Sequence, residues 1–194
     1  MSEYSNLNDL VMRAKEGRVA RSEIRIIADF LERNPQSPDA YKLLYVISRM
    51  GDRSYENLIA KFLSYSADPD LARLSLQTLC VFWRLSDRYL SEIERFLEGV
   101  DWDWMGGVRQ IAITAAGEHL RDNVNCKFLA VLLRISSRDH SSELETRIAV
   151  EALARALGGL ENPLPSEGED WEKWAAGIVD RAKRRFEKEC QKDA

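Results

Sequence analysis

The chain has 194 residues, enough for one core that buries roughly 70% of the surface its unfolded form exposes. With 45% hydrophobic and 31% charged residues it reads as neither disordered nor membrane-embedded, and its apolar runs fall well short of the ~18 residues a spanning helix requires. A formal charge of −4 and a pI near 5.4 argue against a surface built to neutralise nucleic acid.

The opening residues, Met1-Ser2-Glu3-Tyr4-Ser5, carry neither a basic head nor an apolar stretch, so the expected location is the cytoplasm. In chain order, a helix over 5–16 with Leu7, Leu10, Val11 and Ala14 reads as an N-terminal cap within residues 1–20. Residues 21–33 place Ile24, Ile27, Ala28 and Leu31 on one stripe of a 3.6-residue period, and Asn34-Pro35 stops that helix. The next is expected to start at Ser37-Pro38-Asp39, with serine as cap and proline at the first helical position, and to end at Gly51. Helices over 54–65 and 70–84 form a second hairpin across Ser66 to Pro69. Helices over 88–98 and 104–120 form a third across Gly99, and 123–135 and 142–157 form a fourth. Four hairpins thus occupy residues 21–158. After a Pro- and Gly-containing stretch from Gly158 to Gly168, residues 168–190 read as a C-terminal cap helix with Trp171, Trp174, Ala175, Ile178, Ala182 and Phe186 on its inner stripe. Lys183, Arg184, Arg185, Lys188 and Lys192 fall in its last turns, where cations complement the helix dipole.

A basic residue recurs at one point of successive second helices: Lys42, Arg73, Arg109 and Arg147, at steps of 31, 36 and 38 residues. Recurrence at about one helix pair per step is the pattern of a solenoid. Small residues such as Ser75, Ala112, Ala115, Ala149 and Ala152 would let neighbouring helices approach closely. The arginines can form a ladder by bonding an aspartate of their own or an adjacent turn, or they can face a partner.

These second helices resemble those of the HEAT repeat, in which an Asp-Pro turn and a Val-Arg pair precede small apolar residues. The matching positions are Asp68-Pro69 with Ala72-Arg73, Asp103 with Val108-Arg109-Gln110-Ile111-Ala112, and Thr146-Arg147-Ile148-Ala149-Val150. The likeness covers residues 54–158 and is poor over 21–51, and its steps are shorter than the ~40–47 residues usual for such units. It implies an all-α fold, a right-handed α-α superhelix in a single domain.

Catalytic spacings are missing. His119 and His140 belong to no zinc-binding or protease motif and read as surface or helix-end residues; Gly106-Gly107 and Gly158-Gly159 lack the context of a phosphate loop. Three cysteines, Cys80, Cys126 and Cys190, form no CxxC pair, and Cys80 and Cys126 read as small core residues. No cofactor or metal is expected.

The segment Ser91 to Trp104 holds Glu92, Glu94, Glu98, Asp101 and Asp103 against Arg95, a net −4, together with Trp102 and Trp104. It is either a solvated helix face with tryptophans plugging a gap, or an acidic, aromatic patch for a cationic protein. Tyr41, Gln77, Gln110 and Glu151 interrupt the apolar pattern of the second helices and extend the expected partner-binding surface. The expected function is therefore a non-catalytic protein-binding module, most specifically an immunity or antitoxin-like protein that blocks a basic toxin. Alternatives are a DNA-repair enzyme similar to the HEAT-like alkylpurine DNA glycosylases, which the net charge disfavours, and a scaffold or chromophore-enzyme subunit.

Overall fold

The computed structural model describes residues 7–137, 142–158, 165 and 170–191, and among them the only regular secondary structure is helical, with ten α-helices and no strand. They are α1 (Leu7–Lys15), α2 (Arg21–Arg33), α3 (Ala40–Met50), α4 (Glu56–Lys61), α5 (Pro69–Leu76), α6 (Leu90–Glu98), α7 (Gly107–Asp122), α8 (Cys126–Ser136), α9 (Glu143–Ala156) and α10 (Trp171–Cys190). No described helix is long and apolar enough to cross a membrane. The chain divides into two compact units, Met1–Trp83 and Arg84–Ala194.

In the first unit, α1 and α2 both pack on α3, which packs in turn on α5. The periodic stripe of α2 is buried as its spacing requires, with Leu31 fully enclosed and Ile24, Ile27 and Ala28 nearly so. The α2 start is closed by Glu23, whose carboxylate accepts from the Ala20 N–H at 3.0 Å and from the Arg13 guanidinium of α1 at 2.9 and 3.1 Å. Those bonds hold the Glu23 carboxyl below its ordinary pKa, with the Arg13 hydrogen bond the larger cause.

Several boundaries differ from expectation for identifiable reasons. The Ser37 hydroxyl accepts from the Asp39 N–H at 3.3 Å inside a turn, which delays α3 to Ala40 instead of capping it at Pro38. The helix expected over 54–65 is three pieces, α4 flanked by 3-10 turns at Arg53–Tyr55 and Phe62–Ser64. That expected over 70–84 is α5 followed by a widened π-helical segment, Gln77–Phe82, closed by the Trp83 N–H donating to Thr78 O at 2.8 Å. Asp68 caps α5, accepting from the Asp70 N–H at 3.0 Å, with Pro69 at the first position as read.

In the second unit, α6 packs on α7, α8 on α9, and α10 on both α8 and α9, while α7 against α9 is the most extensive pair. Gly117 sits at that crossing, where a Cβ would come within 2.7 Å of Ala152 backbone and side-chain atoms, so the two backbones approach as only glycine allows. Ala112, Ala115, Ala116, Ala149 and Ala152 are fully buried. The helix expected from 104 begins at Gly107 because Asp103 to Gly106 form a turn, closed by the Gly106 N–H donating to Asp103 O at 2.9 Å, with Gly106 left-handed at φ 70°.

The C-terminal helix is held differently from expectation. Of its inner stripe, Ile178 and Ala182 are buried, whereas Trp171 and Trp174 lie half-buried and tilted against each other with ring centroids 5.0 Å apart. The Arg185 guanidinium does not serve its own helix end alone. It donates to Leu120 O at 3.0 Å, Asn123 O at 3.2 Å and Ala156 O at 2.6 Å, closing the carbonyl ends of α7 and α9 together, and also pairs with Glu189 at 2.8 Å. The core reading of Cys126 is corrected: it is half-buried and disulfide-bonded to Cys190, with Cα atoms 5.6 Å apart, while Cys80 is buried as read. Lys192 and most of the stretch from Gly158 to Gly168 lie outside the described residues.

Candidate partner-binding site

The turn from Gly99 to Gly106, between α6 and α7, separates the two tryptophans that look alike in sequence. Trp102 is half-buried and packs edge-on against the buried Phe96 ring, centroids 5.9 Å apart. Trp104 is 80% exposed and the adjoining Met105 69% exposed. One aromatic therefore plugs the hairpin and the other faces solvent.

The turn is fixed from below. The Asp103 carboxylate accepts from the Arg109 N–H at 2.9 Å in the first turn of α7, and the Arg109 side chain donates to Leu97 O at 3.2 Å and to Glu145 of α9 at 3.2 Å. Glu145 is 8% exposed and is itself set by the Ser142 hydroxyl, which accepts the Glu145 N–H at 3.2 Å. Beside this network lies an open hollow of about 350 Å³, bordered by Val100, Trp104, Met105, Gly106 and Gln110. The exposed side chains thus sit on a braced support.

The acidic character of the segment is partly cancelled. Lys127, the second residue of α8, forms an ion pair with Glu94 and lies 4.0 Å from Glu98, a neutralisation that a reading confined to residues 91–104 misses. Glu92 is half-exposed and accepts from the Ser91 hydroxyl at 2.8 Å; Glu98 and Asp101 are exposed and Asp103 is half-buried beneath the turn. The remaining expected site residues are dispersed over two units. Tyr41 and Gln77 belong to the first, where the Tyr41 hydroxyl accepts from Arg73 at 3.3 Å; Gln110 and Glu151 belong to the second, where Glu151 pairs with Arg147 at 3.4 Å.

The recurrent basic residues do not share one partner type. Lys42 donates to Asn8 at 3.1 Å, Arg73 pairs with Asp70 of its own turn at 3.0 Å, and Arg109 reaches Glu145, 36 residues on. Arg147 lies over the Trp171 ring, 4.9 Å from its centroid. A ladder rung in the expected sense is made by Arg73, and a link to the next hairpin by Arg109.

His119 lies in the last turn of α7, in keeping with its reading as a helix-end residue, but it is buried and not on the surface. Its Nδ1 lies 3.0 Å from Asp87 Oδ1 and 3.4 Å from Ser86 Oγ, and its ring meets Phe128 edge-on. A nucleophilic triad needs serine at one ring nitrogen and carboxylate at the other. Here both meet Nδ1, so the cluster ties the turn before α6 to the end of α7. His140 lies outside the described residues. No group of three or more metal-ligating side chains occurs among the described residues.

Comparison with protein-family models, with curated proteins and with solved structures finds no match.

Proposed function

We propose that the chain is a non-catalytic protein-binding module that receives a basic protein through the Gly99–Gly106 turn. The observation that carries this reading is the exposed Trp104 beside Met105 on a braced support, with the carboxylates of Glu98 and Asp101 close in sequence. Exposed tryptophan anchors an interface by burying a large apolar face, and surrounding carboxylates accelerate and select the encounter with a cation-rich surface. In the finer form of the proposal the hairpins stack as a HEAT-like superhelix. Support comes from the packing of alternate helices inside each unit: α1 on α3 and α3 on α5 in the first, α7 on α9 in the second. Within the same reading the chain works in the cytoplasm as an immunity or antitoxin-like protein that occludes a basic toxin.

The test compares tagged wild-type and Trp104→Ala chains for what each retains from cells of the native host. The expected result is one basic protein held by the wild type and lost at least tenfold in the variant, with unchanged thermal stability, because Trp104 supports no core contact. That protein should arrest growth when expressed alone and be tolerated when this chain is co-expressed. Equal retention by the variant, or retention of nucleic acid instead, overturns the reading.

A further inference from the structure

The disulfide joins the start of α8 to the end of α10. Cys126 is the first residue of α8 and Cys190 the last of α10, 64 positions later, and both residues are half-buried. Along α10 the only buried side chains are Ile178 and Ala182, both before Arg185. From Lys183 to Gln191 no side chain is buried; Phe186 is half-buried, and the other strong attachments are the bonds of Arg185 to the carbonyls of α7 and α9 and the cystine itself. An amphipathic helix takes its stability in a protein mainly from its packed face, so turns without one depend on whatever holds their end.

We propose that Cys126–Cys190 is a thiol–disulfide latch that docks the last turns of α10 when oxidised and releases them when reduced. A thiolate of a dithiol reductant attacks one sulfur, a mixed disulfide forms, and the other cysteine leaves as a thiolate. The reductant's second thiol then displaces the first cysteine, so that the protein disulfide gains two electrons and two protons and the reductant becomes its own disulfide. The two sulfurs are not equivalent. Cys126 opens an α-helix behind the Asn125 cap, where the helix dipole and free N–H groups stabilise a thiolate, so Cys126 is the better leaving group and Cys190 the sulfur attacked. Release also loosens Arg185, five residues before Cys190, and through it the ends of α7 and α9. The inference is independent of what binds at Trp104.

The test uses the full chain, isolated without reductant. Iodoacetamide should leave Cys126 and Cys190 unmodified until dithiothreitol is added, and brief exposure to reduced glutathione should place the mixed disulfide on Cys190. On reduction, amide hydrogen exchange over residues 186–190 should rise by about tenfold or more while the central turns of α7, α8 and α9 keep their protection. A Cys126→Ser, Cys190→Ser double variant should reproduce the reduced pattern without any reagent. The proposal is overturned by free alkylation of both thiols before reduction, by unchanged exchange in α10, or by loss of protection throughout α7 to α9, which would make the cystine a staple of the whole unit.

Discussion

Ser75 illustrates how a single atom can be out of balance in an otherwise well-satisfied core. It lies in α5, fully buried, and its hydroxyl has no hydrogen-bond partner among the described residues. The neighbouring buried hydroxyls behave differently: Ser48 donates to Leu44 O at 2.8 Å and Thr78 to Leu74 O at 2.7 Å, each back along its own helix. An unsatisfied buried hydroxyl costs about 1–3 kcal/mol, and alanine is also the better helix former, so Ser75→Ala should stabilise the first unit by about 1 kcal/mol. Urea unfolding read through Trp83, whose indole N–H donates to Ser48 O at 3.3 Å in the same unit, measures this. A fall in stability would mean that the serine oxygen has a role in packing that its contacts do not reveal. The same scale decides the site. Asp101-Trp102-Asp103-Trp104 offers two tryptophans in nearly identical local sequence, and no periodicity tells which one turns inward. Only the Phe96 ring across the turn settles it for Trp102, and a contact of that kind is invisible in a linear reading.

At the scale of the helices, most boundaries were legible because the apolar residues keep one 3.6-residue phase and the stops carry asparagine, glycine or proline. What escaped is what leaves no mark on that phase. The π-helical widening at Gln77–Phe82 shifts the register by one residue without a glycine or proline, and the 3-10 turns flanking α4 look apolar and helical in sequence. The disulfide escaped because three cysteines at wide spacing allow several pairings and also none. Two consequences can be measured. Gly117→Ala should destabilise the second unit by roughly 2–3 kcal/mol despite alanine's helix propensity, because the new Cβ meets Ala152 at 2.7 Å and α7 must move off α9. A neutral effect in thermal unfolding would show that the crossing can open without loss. Glu23 gives the pH dependence. Its folded pKa is lowered, so its contribution is complete above the unfolded value, near pH 4.5, and is lost as pH falls through the lower folded value. Glu23→Gln should therefore be less stable than wild type at pH 7, the difference shrinking towards pH 3; a constant difference would assign the effect to shape and not to charge.

At the scale of the whole molecule, the charge is unevenly disposed. The chain carries −4 overall, yet Lys183, Arg184, Arg185 and Lys188 crowd the end of α10. One of the four, Arg185, is spent on backbone carbonyls and Glu189, and the negative total is the ground for expecting no duplex binding. The chain should pass through heparin resin at about 0.15 M salt, and retention there would revive the glycosylase-like alternative. Composition carries that expectation, whereas the commitment of Arg185 to two carbonyls more than 60 residues away leaves no mark in it.

That commitment also imposes an order in time. Helices α7 and α9 are made first, at residues 107–156, but the side chain that finishes both of them is added 29 residues after Ala156. At a synthesis rate of about 5–20 residues per second, the nascent second unit spends seconds with the carbonyls of Leu120, Asn123 and Ala156 open to water or to any other donor. Its assembly is completed from behind, by the helix that arrives last.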